Sequence, residues 1–296
     1  RGAVDNNWVK FGKEGNKDIY WRIIRTNGDG SIRMIYSGTT APTSSTATVM
    51  TGTGTQISTS VFNSSRDKAE YVGYQYIERQ QHGYGKCNRT SASCTVNGNT
   101  VYNSAIKQAI DKWYAGTTLK DNDLIADQIF CNDRSASTSA VAYLPTNYTT
   151  LTSWNSTGTA YYYGAYGRLS KSKSPVLTCA VDSDRFTVNK INGKGNSSLT
   201  YPVGLITVDE ATMAGGVLGY GSDNSSYYLY TNQGYWLGSP YGFYSSGSAC
   251  GFIVNSSGYF VASAVYSDYG ARPVVSLSSK AKLSGSGTYN DVYTVS

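Results

Sequence analysis

The stretch YWLGSPYGFYSSGSACGFIVNSSGYFVASAVYSDYGARPVVSL, Tyr235 to Leu277, constrains the architecture of this chain more than any other. Its ends, YWLGSP and GARPVVSL, read as framework: a bulky aromatic pair with a Ser-Pro turn, and a β-branched run after Arg-Pro. The middle is mostly Tyr, Phe, Ser, Gly, Asn, Asp and Ala, set among short apolar pieces such as Phe252–Val254 and Tyr259–Val261. That pattern predicts short strands and turns with a tyrosine-rich surface. It also suits recognition, because Tyr offers large contact area at low entropy cost while Ser, Gly and Asn adapt their hydrogen bonds.

The 27 Tyr against 7 Phe set the whole chain apart, and 32 Gly with abundant Ser, Thr and Asn favour turns between short strands. At 296 residues the chain is long enough to bury a proper core. Its net charge of +6 is scattered, and the densest basic piece is RLSKSKS, Arg168 to Ser174. Nucleic-acid binders concentrate such charge in a stripe, so a nucleic-acid partner is not expected. No apolar run approaches the ~20 residues of a membrane helix. The chain opens at Arg1-Gly2 with no Met, as a processed product would. Membrane attachment is therefore expected only through an N-terminal anchor upstream.

Five cysteines allow several pairings. Cys87 and Cys94 flank a short polar loop and can close a hairpin-like bridge; Cys131 and Cys179 are the natural second pair, leaving Cys250. Two bridges on a polar chain fit an oxidising, extracellular setting.

WVKFG, IYWRIIRT and SIRMIYSG read as an antiparallel set, with Asn27 to Gly30 (NGDG) as the hairpin turn and Asp29 as a turn-former rather than a calcium ligand. Gly38 to Ser60 is Thr/Ser/Gly-rich and reads as a surface loop. VYNSAIKQAIDKWYAG is a helix capped by Ser104 and ended by Gly116, with Ile106, Ala109, Ile110 and Trp113 on one apolar face. LIADQIFCNDRS is a second buried segment. Ala136 to Ser174 is a polar, tyrosine-rich excursion whose Tyr161-Tyr162-Tyr163 run reads as cover for the core. Further on, Thr207 caps a second helix with Glu210 three residues later, a capping box that gives Asp209 and Glu210 a structural role facing the helix dipole. The chain closes with a turn and a short strand, YNDVYTV.

Catalytic patterns are sparse. His82 is the single histidine and reads as a solvated loop residue; no G-x-S-x-G elbow accompanies it. C-x6-C with a lone His is not a zinc pattern, and no Walker A or G-x-G-x-x-G sequence occurs. Asp182 and Asp184 in DSDR suit a turn better than a glycosidase pair. The expectation is no enzyme, no catalytic or metal-binding residues and no cofactor.

Taken together, WRIIRTNGDGSIRMIYSG, FCNDRS, GAYGRLS, LTYPVGLITVDEATMAGG, YLYTNQGYWLGSP and GARPVVSL resemble a family of surface-anchored proteins of gut bacteria. The resemblance implies a C-type-lectin-like fold of the formylglycine-generating-enzyme type. It extends to the variable proteins of diversity-generating retroelements, in which adenine-directed mutation of a C-terminal cassette places varied ligand-binding residues on a fixed scaffold. Carried over by position, the diversified contacts would be Tyr241, Phe243, Tyr244, Ser245, Ser248, Cys250, Tyr259, Tyr266, Asp268 and Tyr269. Trp236, Pro240, Arg272 and Pro273 would be framework. The chain departs from the formylglycine-generating enzymes in having only Cys250 near its C-terminus, where they carry a catalytic cysteine pair. It also lacks the Glu-Pro-Asn, Gln-Pro-Asp and Trp-Asn-Asp motifs of calcium-dependent sugar binders.

The sequence thus predicts one α+β domain over residues 1–296, with short antiparallel strands, two main helices and long irregular loops. Its region 235–277 would face a protein or glycan ligand outside the cell, at the cell surface. The alternative is a self-associating subunit of a surface filament, pilus or layer, because exposed aromatic surface often marks protein contact.

Overall fold

The computed structural model describes residues 4–44, 50–89, 91–135, 137, 161–219, 221, 223–244 and 247–296. Within them the chain is mixed α+β, mostly strands with few helices.

The first sheet grows from the N-terminal set. Trp8–Glu14 pairs antiparallel with Lys17–Thr26, which pairs with Ile32–Tyr36. The NGDG turn between the last two closes as expected: Asn27 N–H donates to Ser31 O (2.7 Å) and Asp29 Oδ1 accepts from the Ser31 amide (3.0 Å). A bulge between Lys10 and Lys13 carries Gly12 at φ +77, where a Cβ would fall 2.3 Å from the Leu119 side chain. Val274–Leu277 adds to one edge of the sheet and Tyr293–Val295 to the other, the latter parallel to Trp8–Glu14. The two terminal strands therefore lie side by side.

The second sheet is built from the tyrosine-rich stretch. Tyr235–Tyr244, Ser248–Val254 and Tyr259–Ala264 form an antiparallel meander, with Gly258 at φ +84 in the Asn255–Tyr259 turn. Tyr269–Ala271 runs parallel to the first of these strands and pairs antiparallel with Ser58–Ser60. The Gly38 to Ser60 segment is thus not simply a surface loop: its last residues complete a sheet edge, and Thr55 and Gln56 are buried. A small third sheet holds Gln75–Tyr76, Asn99–Asn103 and Ser93–Val96, beside the Cys87–Cys94 disulfide. The second disulfide, Cys131–Cys179, ties the strand Phe130–Cys131 to the turn before Arg185–Phe186. Two disulfides fit a secreted or extracellular protein. No helix among the described residues is long and apolar enough to cross a membrane.

Arg272 carries the chain from the second sheet into the first. It is 1% exposed, donates from Nε (3.1 Å) and Nη2 (3.0 Å) to Tyr36 O and from Nη1 to Leu229 O (2.9 Å), and lies over the Tyr235 ring. Three bonds to backbone carbonyls and a ring face give every nitrogen of that guanidinium a partner without a carboxylate.

Both anticipated helices form. Ala105–Ala115 is capped by the Ser104 side chain, which accepts from Lys107 N–H, and Gly116 ends it in a right-handed conformation. Its buried stripe is rotated by about one residue from the expected face: Ile106, Lys107, Ile110, Asp111 and Tyr114 are buried, while Ala109 and Trp113 sit at the margin. Lys107 and Asp111 enter the core together because their 2.6 Å ion pair neutralises the charge. Val208–Met213 carries the full capping box of Thr207 and Glu210. A third piece goes beyond the two expected helices: Gly164–Gly167 forms one helical turn and continues as a π turn, Arg168–Ser172. The segment LIADQIFCNDRS becomes deeply buried only from Phe130 onward.

Candidate binding face and the charged recess beside it

The meander fixes where the expected contact residues lie. Tyr244 pairs with Ser248, Cys250 with Ala264 and Val254 with Phe260, so the two ends of the strands are well separated. Tyr241 falls in the bulge between Pro240 and Gly242, which turns its ring onto Phe252 (4.7 Å between centroids), Tyr166 (4.8 Å) and Tyr162 (5.8 Å). Tyr162 and Tyr166 stack at 4.1 Å. Burial pushes the Tyr241 phenol far above its ordinary value, with Tyr244, Tyr166 and Tyr162 adding to the rise. At the same end of the sheet Tyr266, 45% exposed, lies under the Arg66 guanidinium (4.4 Å) and accepts a hydrogen bond from its Nη1 (3.0 Å). The result is a half-exposed group of phenols with one cation, Arg66, at its margin.

The remaining expected residues do not all join that group. Phe243, Ser248 and Cys250 are 1%, 7% and 3% exposed. They are not surface groups: Phe243 alternates with Tyr244 and takes the opposite face of the sheet, while Ser248 and Cys250, directly across from Tyr244 and Gly242, share the face of Tyr244 but lie buried beneath the surface. Burial raises the Cys250 thiol to about 11, so it stays protonated at neutral pH. Tyr259 lies at the far end of the meander, its hydroxyl donating to Asp223 O (3.1 Å) beside an open groove lined by Tyr230, Asn232 and Ser257. Tyr269 is half-buried edge-on against Trp236 (5.3 Å), and Asp268 is exposed. Ser245 lies outside the described residues. Beneath the face, Trp236 is fully buried and its indole N–H donates to Ser60 O (2.8 Å).

Of the Tyr161–Tyr163 run, Tyr163 belongs to the core itself and Tyr162 joins the aromatic group. The helical turn that positions Tyr166 carries no sequence signal strong enough to predict it; the GAYG spacing alone gives no reason to set a tyrosine against residue 241.

Behind this group lies a recess of about 250 Å³ organised by ion pairs. Glu210 meets Arg33 (2.7 Å) and Arg25 (2.9 Å), and Asp209 accepts from Arg168 Nε (3.0 Å) and Nη2 (2.9 Å). Arg168 also reaches Asp133 at 3.3 Å. Burial alone would raise the Glu210 carboxyl, but Arg33, Arg25 and the Thr207 amide outweigh it and hold it below the usual range. Asp209 and Glu210 therefore have the structural job expected of them, and each adds arginine partners that the capping motif did not foretell.

His82 differs from expectation. Its Nδ1 lies 2.9 Å from Asp184 Oδ2, and Asp184 is fully buried, also bound by Arg134 through Nη2 (2.9 Å) and the backbone amide (2.8 Å). Asp184, bound on Oδ1 by the Arg134 guanidinium, presents Oδ2 to the Arg134 amide and the His82 ring, and so draws the imidazole partly out of the solvent where sequence context placed it. Asp182 remains in a turn, paired with Arg185 at 3.0 Å. Among the described residues no group of three or more His, Cys, Asp or Glu side chains is placed to hold a metal ion.

No family model matches the chain, and comparison with curated proteins and with solved structures gives no match either.

Proposed function

We propose that this chain is an extracellular ligand-binding protein of the cell surface, with a C-type-lectin-like scaffold similar to the variable proteins of diversity-generating retroelements. The contact face would be the tyrosine group at the Tyr244–Ser248 end of the second sheet, centred on Tyr241, Tyr244 and Tyr266. One observation carries the reading: exposed or half-exposed phenols crowd one sheet end, while the sheet that bears them is fixed by buried side chains bonded to backbone, Trp236 to Ser60 O and, at the opposite strand end, Arg272 to Tyr36 O and Leu229 O. A rigid base with a varied aromatic surface is what adaptable recognition needs, because little entropy is lost when the rings meet a ligand. Neighbouring terminal strands in one sheet and the C-terminal meander in another support the scaffold reading.

The ligand would be a protein or glycan, held by ring stacking and phenol hydrogen bonds. Tyr259 and its groove lie too far away to share that contact, and form at most a separate margin. The test is capture on protein and glycan arrays by the chain and by a Tyr244→Ser/Tyr266→Ala variant. The reading expects loss of every specific signal at an unchanged Tm. Retained capture by the variant would overturn it. Concentration-dependent growth of particle size in light scattering, abolished by the same variant, would favour the filament-subunit alternative.

A further inference from the structure

The recess beside the tyrosine group carries more positive charge than its own carboxylates neutralise. Arg25, Arg33, Arg168, Arg185 and Lys194 line it. Against them stand Asp133, Asp209 and Glu210. Those three carboxylates are fully engaged by Arg25, Arg33 and Arg168. Arg185 has an outside partner, Asp182, which is 52% exposed. Lys194 forms no ion pair among the described residues. Counting Asp182 with the three, five cations face four carboxylates, an excess of one charge.

The rest of the wall is apolar or neutral. Ile129, Ala165, Val176 and the Cys131–Cys179 bridge line it, and Leu177, 49% exposed, stands at its edge. At about 250 Å³ the recess falls just under the ~300–1,000 Å³ of drug-sized pockets, so it admits one ring-sized group. Its arginines are already oriented: Arg168 by two carboxylates, Arg185 by the Cys179 carbonyl at 2.7 and 3.0 Å. Those contacts occupy the guanidinium forks and hold the positive wall in place, so the cation without an ion pair that is left to meet an incoming oxyanion is Lys194 at the rim.

We infer that this recess binds a compact organic monoanion, a carboxylate or sulfate ester on a ring-sized body, independently of the tyrosine face. A single surplus charge matches a monoanion better than a phosphate dianion, and the apolar wall provides for the body that carries it. A uronic acid and a sulfated sugar share this chemistry, and separate probes distinguish them.

The experiment is calorimetric titration of the whole chain with D-glucuronate, D-glucose 6-sulfate and neutral D-glucose. The inference expects saturable binding of at least one acid, about ten-fold tighter than glucose and weakened by added salt. Lys194→Met should weaken that binding about five-fold or more, a loss of charge at the rim. Lys194 is exposed, so this variant is expected to fold; Arg185→Gln is the second variant, and Tyr266→Ala should leave the affinity unchanged. No saturable binding of either acid, glucose binding as tightly as the acids, or acid binding unaltered in both cation variants would overturn the inference.

Discussion

Glu210 meets three demands with one carboxylate. It closes the capping box by accepting from Thr207 N–H (3.0 Å), and it forms ion pairs with both Arg33 and Arg25. Replacing it with Leu would leave Arg33 buried without its counter-charge, at a cost of about 3–5 kcal/mol, measurable by urea unfolding. Glu210 and Asp184 both have carboxyls held below their unfolded values, despite burial, Glu210 by Arg33 and Arg25 and Asp184 by Arg134 with the hydrogen bond to His82. Each therefore contributes stability in full above the ordinary carboxylate range, about pH 4, and loses it as pH falls through the lower folded value. Tm followed by circular dichroism should drop below about pH 4 in the native chain and drop less steeply in Glu210→Gln. Equal slopes would contradict the assignment. Cys250 supplies a prediction of another kind. Its thiol, raised to about 11 by burial, should resist iodoacetamide in the folded chain and react once the chain is unfolded. Fast labelling of the folded chain would place it at the surface after all.

At the scale of elements, what was legible depended on whether the signal was local. Thr207 with Glu210, and Ser104 and Gly116 each at its own helix end, are local signals: both helices begin at those caps, and the first ends at Gly116. The NGDG hairpin was readable for the same reason. The face of Ala105–Ala115 was not, because Lys107 and Asp111 are buried by pairing with each other, and a hydrophobic pattern scores both as solvent-facing. Burial raises the Asp111 carboxyl more than Lys107 can lower it, and Asp111 Oδ1 has no hydrogen-bond partner among the described residues. A Lys107→Met/Asp111→Leu double variant should accordingly be neutral or more stable by about 1–4 kcal/mol, while Asp111→Ala alone should cost about 3–5. Urea unfolding of the pair of variants checks this, and a double variant as unstable as the single one would contradict it. Ser58–Ser60 carries no strand signal of its own, because three polar residues become a strand only when Tyr269–Ala271 offers them an edge. The same limit applies to the binding face. Composition marks the stretch, but only the folded chain shows that Phe243, Ser248 and Cys250 are buried and that Tyr259 stands apart.

The whole molecule is held by contacts that no local pattern contains. Trp8–Glu14 lies beside Tyr293–Val295, and Arg272 joins the two sheets through carbonyls more than 40 and 230 residues away in sequence. The disulfides act at this scale too. Cys131–Cys179 spans 48 residues and Cys87–Cys94 only 7. Chain-entropy reasoning gives about 4 kcal/mol for the longer loop and about 2 for the shorter. Urea unfolding of Cys131→Ser/Cys179→Ser and Cys87→Ser/Cys94→Ser should show the first pair as the more destabilised, and the reverse order would contradict that ranking. The recess, too, belongs to the fold as a whole, since segments around Arg25, Asp133, Arg168, Lys194 and Glu210 meet there from five separate parts of the chain.

The central claim, a varied face on a fixed base, is tested most directly by sequencing this gene across the population that carries it, scored codon by codon. The account predicts replacement concentrated at adenine-bearing codons for surface positions between Tyr241 and Tyr269, above all Tyr241, Tyr244 and Tyr266. Trp236 and Arg272 to Leu277 should stay constant. Variation spread evenly along the chain, or confined to the buried positions Phe243, Ser248 and Cys250, would contradict it.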